Sequence, residues 1–247
     1  LGDPSKLTTV LKAMIQQNPG GILSSSIGTG GCSTAATWKD ENVAEQTVFQ
    51  AGAAQGVSIY WASGDRGAYS CLADQDTTQF GQLAVEDGVG DGVTSVGGTT
   101  VFLASNGGYF KEAAWGEPLE QWGGTGGYAP APITRPSWQR ATGLDNSGLR
   151  GVPDVSANAD IVSGWDIVSP SDNGPQEGPV GGTSAAAPMW AAVTALIDED
   201  LAQKHLPAVG FANPALYFFA GNPPGLPAPA LHDVTLGNNL HFVATPG

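Results

Sequence analysis

The sequence has 247 residues, of which 13% are charged and 41% hydrophobic, and its formal net charge at pH 7 is −14. This length and apolar content are enough for one large domain with a buried core. With 9 basic residues against 23 acidic ones, the chain has no basic footprint for nucleic acid or for an anionic membrane surface. The acidic balance indicates either ordinary solubility or work at low pH, where carboxylates protonate and repel one another less.

The sequence contains neither a run of about 20 apolar residues, as a transmembrane helix needs, nor the pattern of a signal peptide. It begins at Leu1 and ends at Gly247 within stretches typical of a domain interior. We therefore expect the intact protein to continue beyond both ends. Because no internal repeat or charged linker divides the chain, residues 1–247 are predicted to form a single, incomplete domain.

Two helices and two strands are predicted in the first part of the chain. An amphipathic helix in 3–17 ends at Gly20 and Gly21, and a short buried strand follows in 21–28. Residues 40–56 predict a second helix, closed by Gly56 as its C-terminal cap, before a strand in 57–63. A strand, a helix and a strand with short connections predict a parallel sheet. The apolar stripe of the first helix consists of Leu7, Val10, Leu11, Met14 and Ile15.

The rest of the chain alternates strong elements with long loops. Residues 92–102 predict a third strand, and 104–150, rich in Gly, Pro and Trp, predict loops with short hairpins. Small and apolar residues in 184–206 predict a long buried helix, whereas 213–247 are predicted to be rich in loops, with turn and polyproline character in 222–230. The predicted class is α/β, with a mainly parallel central sheet flanked by helices and long Gly- and Pro-rich loops.

The two cysteines, Cys32 and Cys71, each stand in a loop rich in Gly and Ser rather than in an apolar run. An even count in an acidic, lysine-poor chain favours a disulfide formed in an oxidising compartment. The alternative is two unrelated buried thiols.

Ser184 is the candidate nucleophile. It stands in Gly-Gly-Thr-Ser-Ala-Ala-Ala-Pro, where a loop turns into the long predicted helix. The first N–H groups of a helix have no intrahelical partner, and the helix dipole is positive there, so an oxyanion beside Ser184 would be stabilised. The plain alternative is a serine that caps a helix. Pro188 inside the helix argues against coincidence, because an interior proline is costly.

This serine string resembles the motif of the subtilisin-like clan, Gly-Thr-Ser-Ala/Met-x-x-Pro. Subtilases in that clan take their base from a histidine that precedes the serine, but His205, His232 and His241 all follow Ser184. Ser63-Gly64-Asp65, at the end of a predicted strand, resembles the sedolisins, the serine-carboxyl peptidases, in which an aspartate stands where subtilases have an asparagine. Aspartates are also common in plain turns. A subtilase whose histidine lies outside this sequence is the alternative that Asp65 argues against.

The resemblance implies that Asp65 forms the oxyanion hole. A protonated carboxyl can donate a hydrogen bond to a developing oxyanion, whereas an ionised one would repel it. Such a site therefore favours acidic conditions. The resemblance also implies a subtilisin-like three-layer fold and acyl-enzyme chemistry on Ser184.

Further segments carry the resemblance along most of the chain. They are Val-Gly-Gly-Thr in 96–99, Pro-x-x-Gln in 136–139 and Val-Pro-Asp-Val-Ser-Ala in 152–157, in which Asp154 is expected to have a structural role. Where the family often has a serine two residues after three glycines, this chain has Tyr128 and Ala129. Substrate contacts are implied at Gly97, Gly126, Gly127 and Gly182.

A sedolisin's proton acceptor is a glutamate oriented by an aspartate four residues later, on a helix that we expect to lie before Leu1. Such a carboxylate pair replaces histidine and suits catalysis at acidic pH. Glu41 and Glu45 are spaced four residues apart on the second predicted helix, but no aspartate completes a pair there. We interpret both as part of a solvated helix face.

Residues 231–239 resemble the family's calcium segment. Asp233 and Val234 match its first ligands, and Thr245 and Gly247 stand where a Gly-x-Gly-x-Asp loop would begin, its aspartate falling beyond Gly247. Oxygen-only ligation is what Ca²⁺ requires. The resemblance implies one structural Ca²⁺ in the intact protein, and the alternative for Asp233 is a turn aspartate.

These observations leave three possible functions. The first is an acid-acting endopeptidase or tripeptidyl-peptidase that cleaves peptides or proteins, in a secreted or lysosome-like acidic setting, with a separate chain or propeptide supplying the missing segments. The second is a non-catalytic fragment or scaffold that binds peptides or a partner chain. The third is the subtilase above. The presence of both Ser184 and Asp65 favours the first.

Overall fold

Helices flank a central sheet in a computed structural model of the chain, and four α-helices lie within the residues that the structure describes. The helices among the described residues are α1 (Pro4–Gln17), α2 (Ala35–Ala54), α3 (Thr183–Gln203) and α4 (Asn213–Ala220). The structure describes residues 4–28, 35–69, 88–117, 122–129, 133–140, 144, 146–170 and 174–239. Both cysteines lie outside these ranges, so the disulfide stays a prediction.

Eleven strands are described in these ranges. They are β1 (Ile22–Ser25), β2 (Ser58–Ala62), β3 (Thr94–Leu103), β4 (Tyr109–Ala114), β5 (Gly116–Glu117), β6 (Trp122–Gly123), β7 (Gly127–Tyr128), β8 (Gly151–Val152), β9 (Val155–Asn158), β10 (Trp165–Ser169) and β11 (Gln176–Val180).

The central sheet is parallel except at one edge. β1 pairs with β2 and β2 with β3, both in parallel, and β9 runs parallel to the middle of β3. β4 turns back antiparallel on the far end of β3. The registers place Tyr60 opposite Thr94 and Val96 opposite Val155. The mainly parallel sheet predicted from the sequence is confirmed.

The two faces of the sheet are covered by different helices, which makes three layers. Ile59 and Trp61 of β2 pack with α1 and α2 in one core cluster. Tyr60, between them, points to the other face and packs with Ala186 and Ala187 of α3. Alternate strand residues point to opposite faces, so a parallel sheet buried on both sides needs apolar residues at successive positions. Within the described residues, no helix is long and apolar enough to cross a membrane.

The buried faces of the first two helices differ from the sequence interpretation. In α1, Leu7, Leu11 and Ile15 are buried, whereas Val10 and Met14 are exposed, so the buried stripe is narrower than predicted. In α2, the interpretation of Glu45 as part of a solvated face is wrong, because its exposed fraction is 2%. Residues 45, 48, 49 and 52 all lie on one buried face of α2, at the spacing of a helix stripe, so position 45 faces the interior. The side chain of Glu41 lies outside the described residues.

Two elements that the sequence patterns did not predict lie on either side of α3. β10 and β11 form an antiparallel hairpin directly before it. α4 falls in the part that we predicted to be loop-rich, with Pro214 in its first turn. Proline fits there because the first N–H groups of a helix have no intrahelical partner. Turn residues after α4 dominate the composition of 213–247, and for this reason the short helix was not predicted from the sequence.

Asp154 joins the loop before β9 to the rest of the sheet through buried hydrogen bonds. Its Oδ2 accepts from Arg150 Nη2 at 2.5 Å, from the N–H of Ser95 at 2.8 Å and from Asn213 Nδ2 at 3.1 Å. Its Oδ1 accepts from the Tyr217 hydroxyl at 3.1 Å. The carboxylate thus connects β3, the loop before β9 and α4, which agrees with the structural role expected from its motif.

Two of the residues that donate to Asp154, Arg150 and Tyr217, have raised pKa values. Burial alone would lower the pKa of the Arg150 guanidinium, but the charge and hydrogen bond of Asp154 raise the pKa overall. Burial, followed by the Asp154 charge, raises the pKa of the Tyr217 phenol. Arg150 also lies over the ring of Trp138, 5.1 Å from its centroid. A charged pair held in this way is costly to break from one side.

Replacing Asp154 by Asn should destabilise the fold by about 3 kcal/mol or more, because Arg150 would be left as a buried charge without its counter-ion. Asp200 offers a matched control, since it pairs with Lys204 at the same i, i+4 spacing but with both side chains more than half exposed. Asp200→Asn should cost less than about 1 kcal/mol. Urea unfolding of both variants measures the difference, and equal losses would contradict the structural role of Asp154.

Candidate active site

Asp65 and Ser184 come together because the end of β2 meets the start of α3. Asp65 follows β2 by three residues, and Ser184 is the second residue of α3. The carboxyl ends of parallel strands open on one edge of a sheet, and ligands bind at that edge in open α/β folds. The two candidate residues therefore lie where the architecture favours a site.

The Asp65 carboxylate is held by the first residue of α3. Its Oδ1 accepts from the backbone N–H of Thr183 at 2.7 Å and from the Thr183 hydroxyl at 2.8 Å. The Gly182 position before the helix supplies no side-chain cap. Asp65 thus caps α3 from another part of the chain, with its carboxyl at the positive end of the helix dipole.

The two carboxylate oxygens of Asp65 have different surroundings. Both Thr183 donors point at Oδ1, so Oδ2 accepts neither of these two hydrogen bonds. Oδ2 lies against Gly182, where an added Cβ would stand 2.6 Å from it. Gly182 also has a φ of +83°, a conformation that side-chain-bearing residues rarely adopt. A glycine is required here both by the backbone conformation and by the approach of Asp65.

The Asp65 loop is fixed by its own backbone as well as by its side chain. The Thr183 hydroxyl accepts from the N–H of Gly64 at 3.0 Å. The N–H of Thr125 donates to the carbonyl of Gly64 at 2.9 Å, and the Thr125 hydroxyl accepts from the N–H of Arg66 at 3.1 Å. Asp65 is thus held between bonds on both neighbouring residues, which preorganises the carboxyl.

Ser184 is accessible from a cleft beside this loop. Its side chain is exposed, and its backbone carbonyl accepts a hydrogen bond from Ser26 Oγ at 3.0 Å. The cleft has a volume of ≈ 210 Å³. Its described lining consists of residues 26–28, residues 62–66, Trp122, Thr183 and Ser184. One cleft therefore contains the nucleophile candidate, the oxyanion candidate and the first turn of α3.

The predicted substrate-binding glycines separate into two groups. Gly182 contacts Asp65, as described above. Gly97 is buried in β3, where an added Cβ would stand 2.5 Å from Pro153 Cγ. Gly126 and Gly127 follow Thr125, and Gly127 pairs with Val152 in a short ladder. None of these last three is among the described residues that line the cleft, and their substrate contacts stay predictions.

The histidines described by the structure do not line the cleft that contains Ser184. His205 follows the other end of α3, a helix of 21 residues, which is about 30 Å long at 1.5 Å per residue. His232 stands near Glu112, with Nδ1 3.8 Å from Oε2. His241 lies outside the described residues. The described lining of this cleft thus offers no histidine as a base for Ser184.

The calcium prediction is only partly covered by the structure. Asp233 is exposed and Val234 half-buried, in a segment beside β4 where the carbonyl of Leu236 accepts from the N–H of Ala114 at 2.8 Å. Thr245 and Gly247 lie outside the described residues. Among the residues that the structure describes, no group of three His, Cys, Asp or Glu side chains could hold a metal. Asp233 and Val234 offer oxygen donors of the right kind, but further ligands would have to come from elsewhere.

Thr183 is the site residue that the sequence reasoning missed. It stands directly before the candidate nucleophile in Gly-Gly-Thr-Ser, but its hydrogen bonds reach residues more than a hundred positions away. Thr125 and Ser26 were missed for the same reason. A buried threonine directly before a helical serine is the signal that could have singled out Thr183.

Known peptidases resemble this chain over most of its length. Residues 3–209 match the profile of the Subtilase family. Kumamolisin from Bacillus sp. (strain MN-32) is 33% identical over 210 residues, covering 82% of this chain and 34% of kumamolisin. Sedolisin from Pseudomonas sp. (strain 101) is 30% identical over 241 residues, covering 94% of this chain and 38% of sedolisin. The chain thus spans little more than a third of the length of these curated relatives.

A solved structure extends the likeness to three dimensions. It is described as Pseudomonas sedolisin, a serine-carboxyl proteinase, complexed with two molecules of pseudo-iodotyrostatin. It matches with a TM-score of 0.75 and 29% identity, over 97% of this chain and 62% of that chain. The expected three-layer α/β fold of the subtilisin-like clan is thereby confirmed. The chain belongs to the Subtilase family and, within it, to the sedolisin or serine-carboxyl peptidase branch.

Proposed function

We propose that the intact protein is an acid-acting serine-carboxyl peptidase that hydrolyses peptide bonds through an acyl-enzyme on Ser184. The observation that carries the proposal is the Asp65 carboxyl, fixed by Thr183 next to Ser184 at the start of α3. Family membership supports the same reaction class. The non-catalytic alternative receives no support from this arrangement, since a binding scaffold has no need of an oriented carboxyl beside an exposed serine.

In the proposed first step, Ser184 Oγ attacks the carbonyl carbon of a peptide bond while its proton passes to a general base. The C–O bond forms and the carbonyl oxygen becomes an oxyanion. Protonated Asp65 donates a hydrogen bond to that oxyanion from Oδ2, and the positive end of α3 lies beside it. Because Oδ1 already accepts two hydrogen bonds, the carboxyl does not have to reorient during the step.

In the following steps the same group returns the proton that it accepted from Ser184. The tetrahedral intermediate collapses, the C–N bond breaks, and the amine leaves with the proton that the base took from Ser184. Water then attacks the acyl-enzyme by the same route, and the acid product and free Ser184 are released. We propose that the base is a Glu oriented by an Asp, as the family resemblance implies, on a segment outside this sequence.

The same proposal gives the operating conditions. A carboxylate base must be ionised while Asp65 is protonated, and both hold together only under acidic conditions. We therefore propose a secreted or lysosome-like acidic setting, with peptides or proteins as substrates. A propeptide or a separate chain could supply the segments that complete the site.

Replacing Ser184 by Ala in the intact protein should lower peptide hydrolysis at acidic pH by about 10⁴-fold or more, because no covalent intermediate can form. Hydrolysis of a quenched fluorescent peptide mixture at pH 4 measures this. Ser105→Ala, in the exposed turn after β3, is the matched control and should keep its activity. Undiminished hydrolysis by Ser184→Ala would overturn the proposed function.

Replacing Asp65 by Asn should weaken the dependence of the remaining activity on acid. An asparagine whose Oδ1 accepts from Thr183 presents its amide N–H₂ to the oxyanion at every pH, without needing a proton. The ratio of variant to wild-type kcat/KM should therefore rise about tenfold for each pH unit on the alkaline side of the profile. Asp200→Asn controls for the general loss of one charge. A constant ratio across the profile would contradict the oxyanion role of Asp65.

We also propose that the intact protein binds one structural Ca²⁺ at Asp233 and Val234, together with Thr245 and Gly247 in the following loop. Oxygen ligands of this kind suit Ca²⁺. An ion bound only by the folded state stabilises it by about 2.7 kcal/mol at 100 times its Kd. Chelation should therefore lower the Tm of the wild type but not that of Asp233→Ala. Equal responses of the two proteins would exclude this site.

A further inference from the structure

Pro188 leaves the backbone carbonyl of Ser184 without its regular helical partner. In an α-helix each C=O accepts from the N–H four residues later. The residue four positions after Ser184 is Pro188, which lies inside α3 and has no N–H. The proline ring also crowds the carbonyl of the residue four positions before it. The nucleophile therefore lies in a helical turn that the backbone at 188 cannot close.

The hydroxyl of Ser26 supplies a donor to this carbonyl from another part of the fold. Its Oγ donates to the Ser184 carbonyl at 3.0 Å, across 158 positions of the sequence. Ser26 directly follows β1, and both serines line the cleft. A side chain at the end of β1 thus takes the place of the backbone N–H that an ordinary residue at position 188 would offer.

Ser26 belongs to a segment that the core holds in place. The residue before it, Ser25, pairs with Trp61 in the parallel ladder of β1 and β2. The carbonyl of the residue after it, Ile27, accepts from Trp61 Nε1 at 3.1 Å, and Trp61 is fully buried. Both neighbours of Ser26 are therefore tied to the same buried residue, which fixes the backbone that carries the Ser26 hydroxyl.

Two neighbouring strand ends thus hold the start of α3 through opposite kinds of contact. Asp65, after β2, accepts from the N–H and the hydroxyl of Thr183. Ser26, after β1, donates to the carbonyl of Ser184. The first contact holds the residue before the nucleophile, and the second holds the peptide group of the nucleophile itself.

We propose that Ser26 is a positioning residue for the nucleophile, and that Pro188 makes this role necessary because it removes a backbone donor. This inference rests on the proposed peptidase function. Ser26 and Ser184 are both exposed, so water can satisfy the carbonyl when the Ser26 hydroxyl is removed, and the folded state loses little. What changes is the position of Ser184 Oγ relative to the attacked carbon, where a small displacement costs a large factor in rate.

Replacing Ser26 by Ala in the intact protein should lower kcat for a quenched fluorescent peptide about tenfold and leave KM within about twofold, because the lost contact acts on the attacking group and not on substrate binding. The Tm should fall by about 3 °C or less. Ser26→Thr keeps a hydroxyl and should recover most of the rate. Ser24→Ala, at an exposed serine of β1 outside the described lining of the cleft, is the matched control and should behave as the wild type.

A double-mutant cycle assigns the effect to the N–H that Pro188 lacks. In Pro188→Ala the backbone at 188 can donate to the Ser184 carbonyl, so adding Ser26→Ala to this variant should lower kcat by no more than about twofold. Pro214→Ala, in the first turn of α4, provides the matched background. There, Ser26→Ala should keep its full effect of about tenfold.

The inference is wrong, while the peptidase function stands, if Ser26→Ala keeps its kcat, changes only KM or loses its fold. It is also wrong if Ser26→Ala costs the same in the Pro188→Ala and Pro214→Ala backgrounds. If Pro188→Ala does not fold, the split between kcat and KM and the recovery in Ser26→Thr decide. If the wild type cleaves no peptide, or if Ser184→Ala cleaves it undiminished, the proposed function is overturned and this inference with it.

Discussion

A single carboxylate oxygen connects the strand end to the helix start in this protein. Oδ1 of Asp65 takes two hydrogen bonds from Thr183, so the end of β2 and the first residue of α3 are held as one unit. The positions of the other polar groups of the site depend on this contact. Ser184 comes one residue later on the helix, Gly182 comes one residue before Thr183, and Oδ2 of Asp65 lies against Gly182.

The rest of the fold keeps this contact rigid. Ala186 and Ala187 are fully buried against the sheet, which lets α3 sit close behind the serine. Thr125 ties both residues that flank Asp65 to a neighbouring loop. Elsewhere in the fold, the Asp154 carboxylate holds the loop before β9 against β3 and the short helix α4. The two aspartates differ in their surroundings. Asp154 is buried and paired with Arg150. Asp65 lines an open cleft, and only its Oδ1 accepts hydrogen bonds from Thr183.

The sequence carried enough information for the fold class and for the pair Asp65 and Ser184. The βαβ pattern and the strong α3 pattern depend on local periodicity, and the two residues stand in short motifs beside glycines. Other features could not be predicted from local periodicity or short motifs. The burial of Glu45 depends on which face of α2 meets the core, and the role of Thr183 depends on contacts between distant segments. The helix α4 was hidden by the turn residues that follow it.

The central claim is that Ser184 attacks a peptide carbonyl whose oxygen is received by Asp65. A crystal structure of the intact protein with a peptide aldehyde at acidic pH tests this most directly, because the hemiacetal mimics the tetrahedral intermediate. We expect a covalent bond from Ser184 Oγ to the aldehyde carbon, with the resulting oxygen within about 3 Å of Asp65 Oδ2. A bond to another residue, or an oxygen that points away from Asp65 towards solvent, would contradict it.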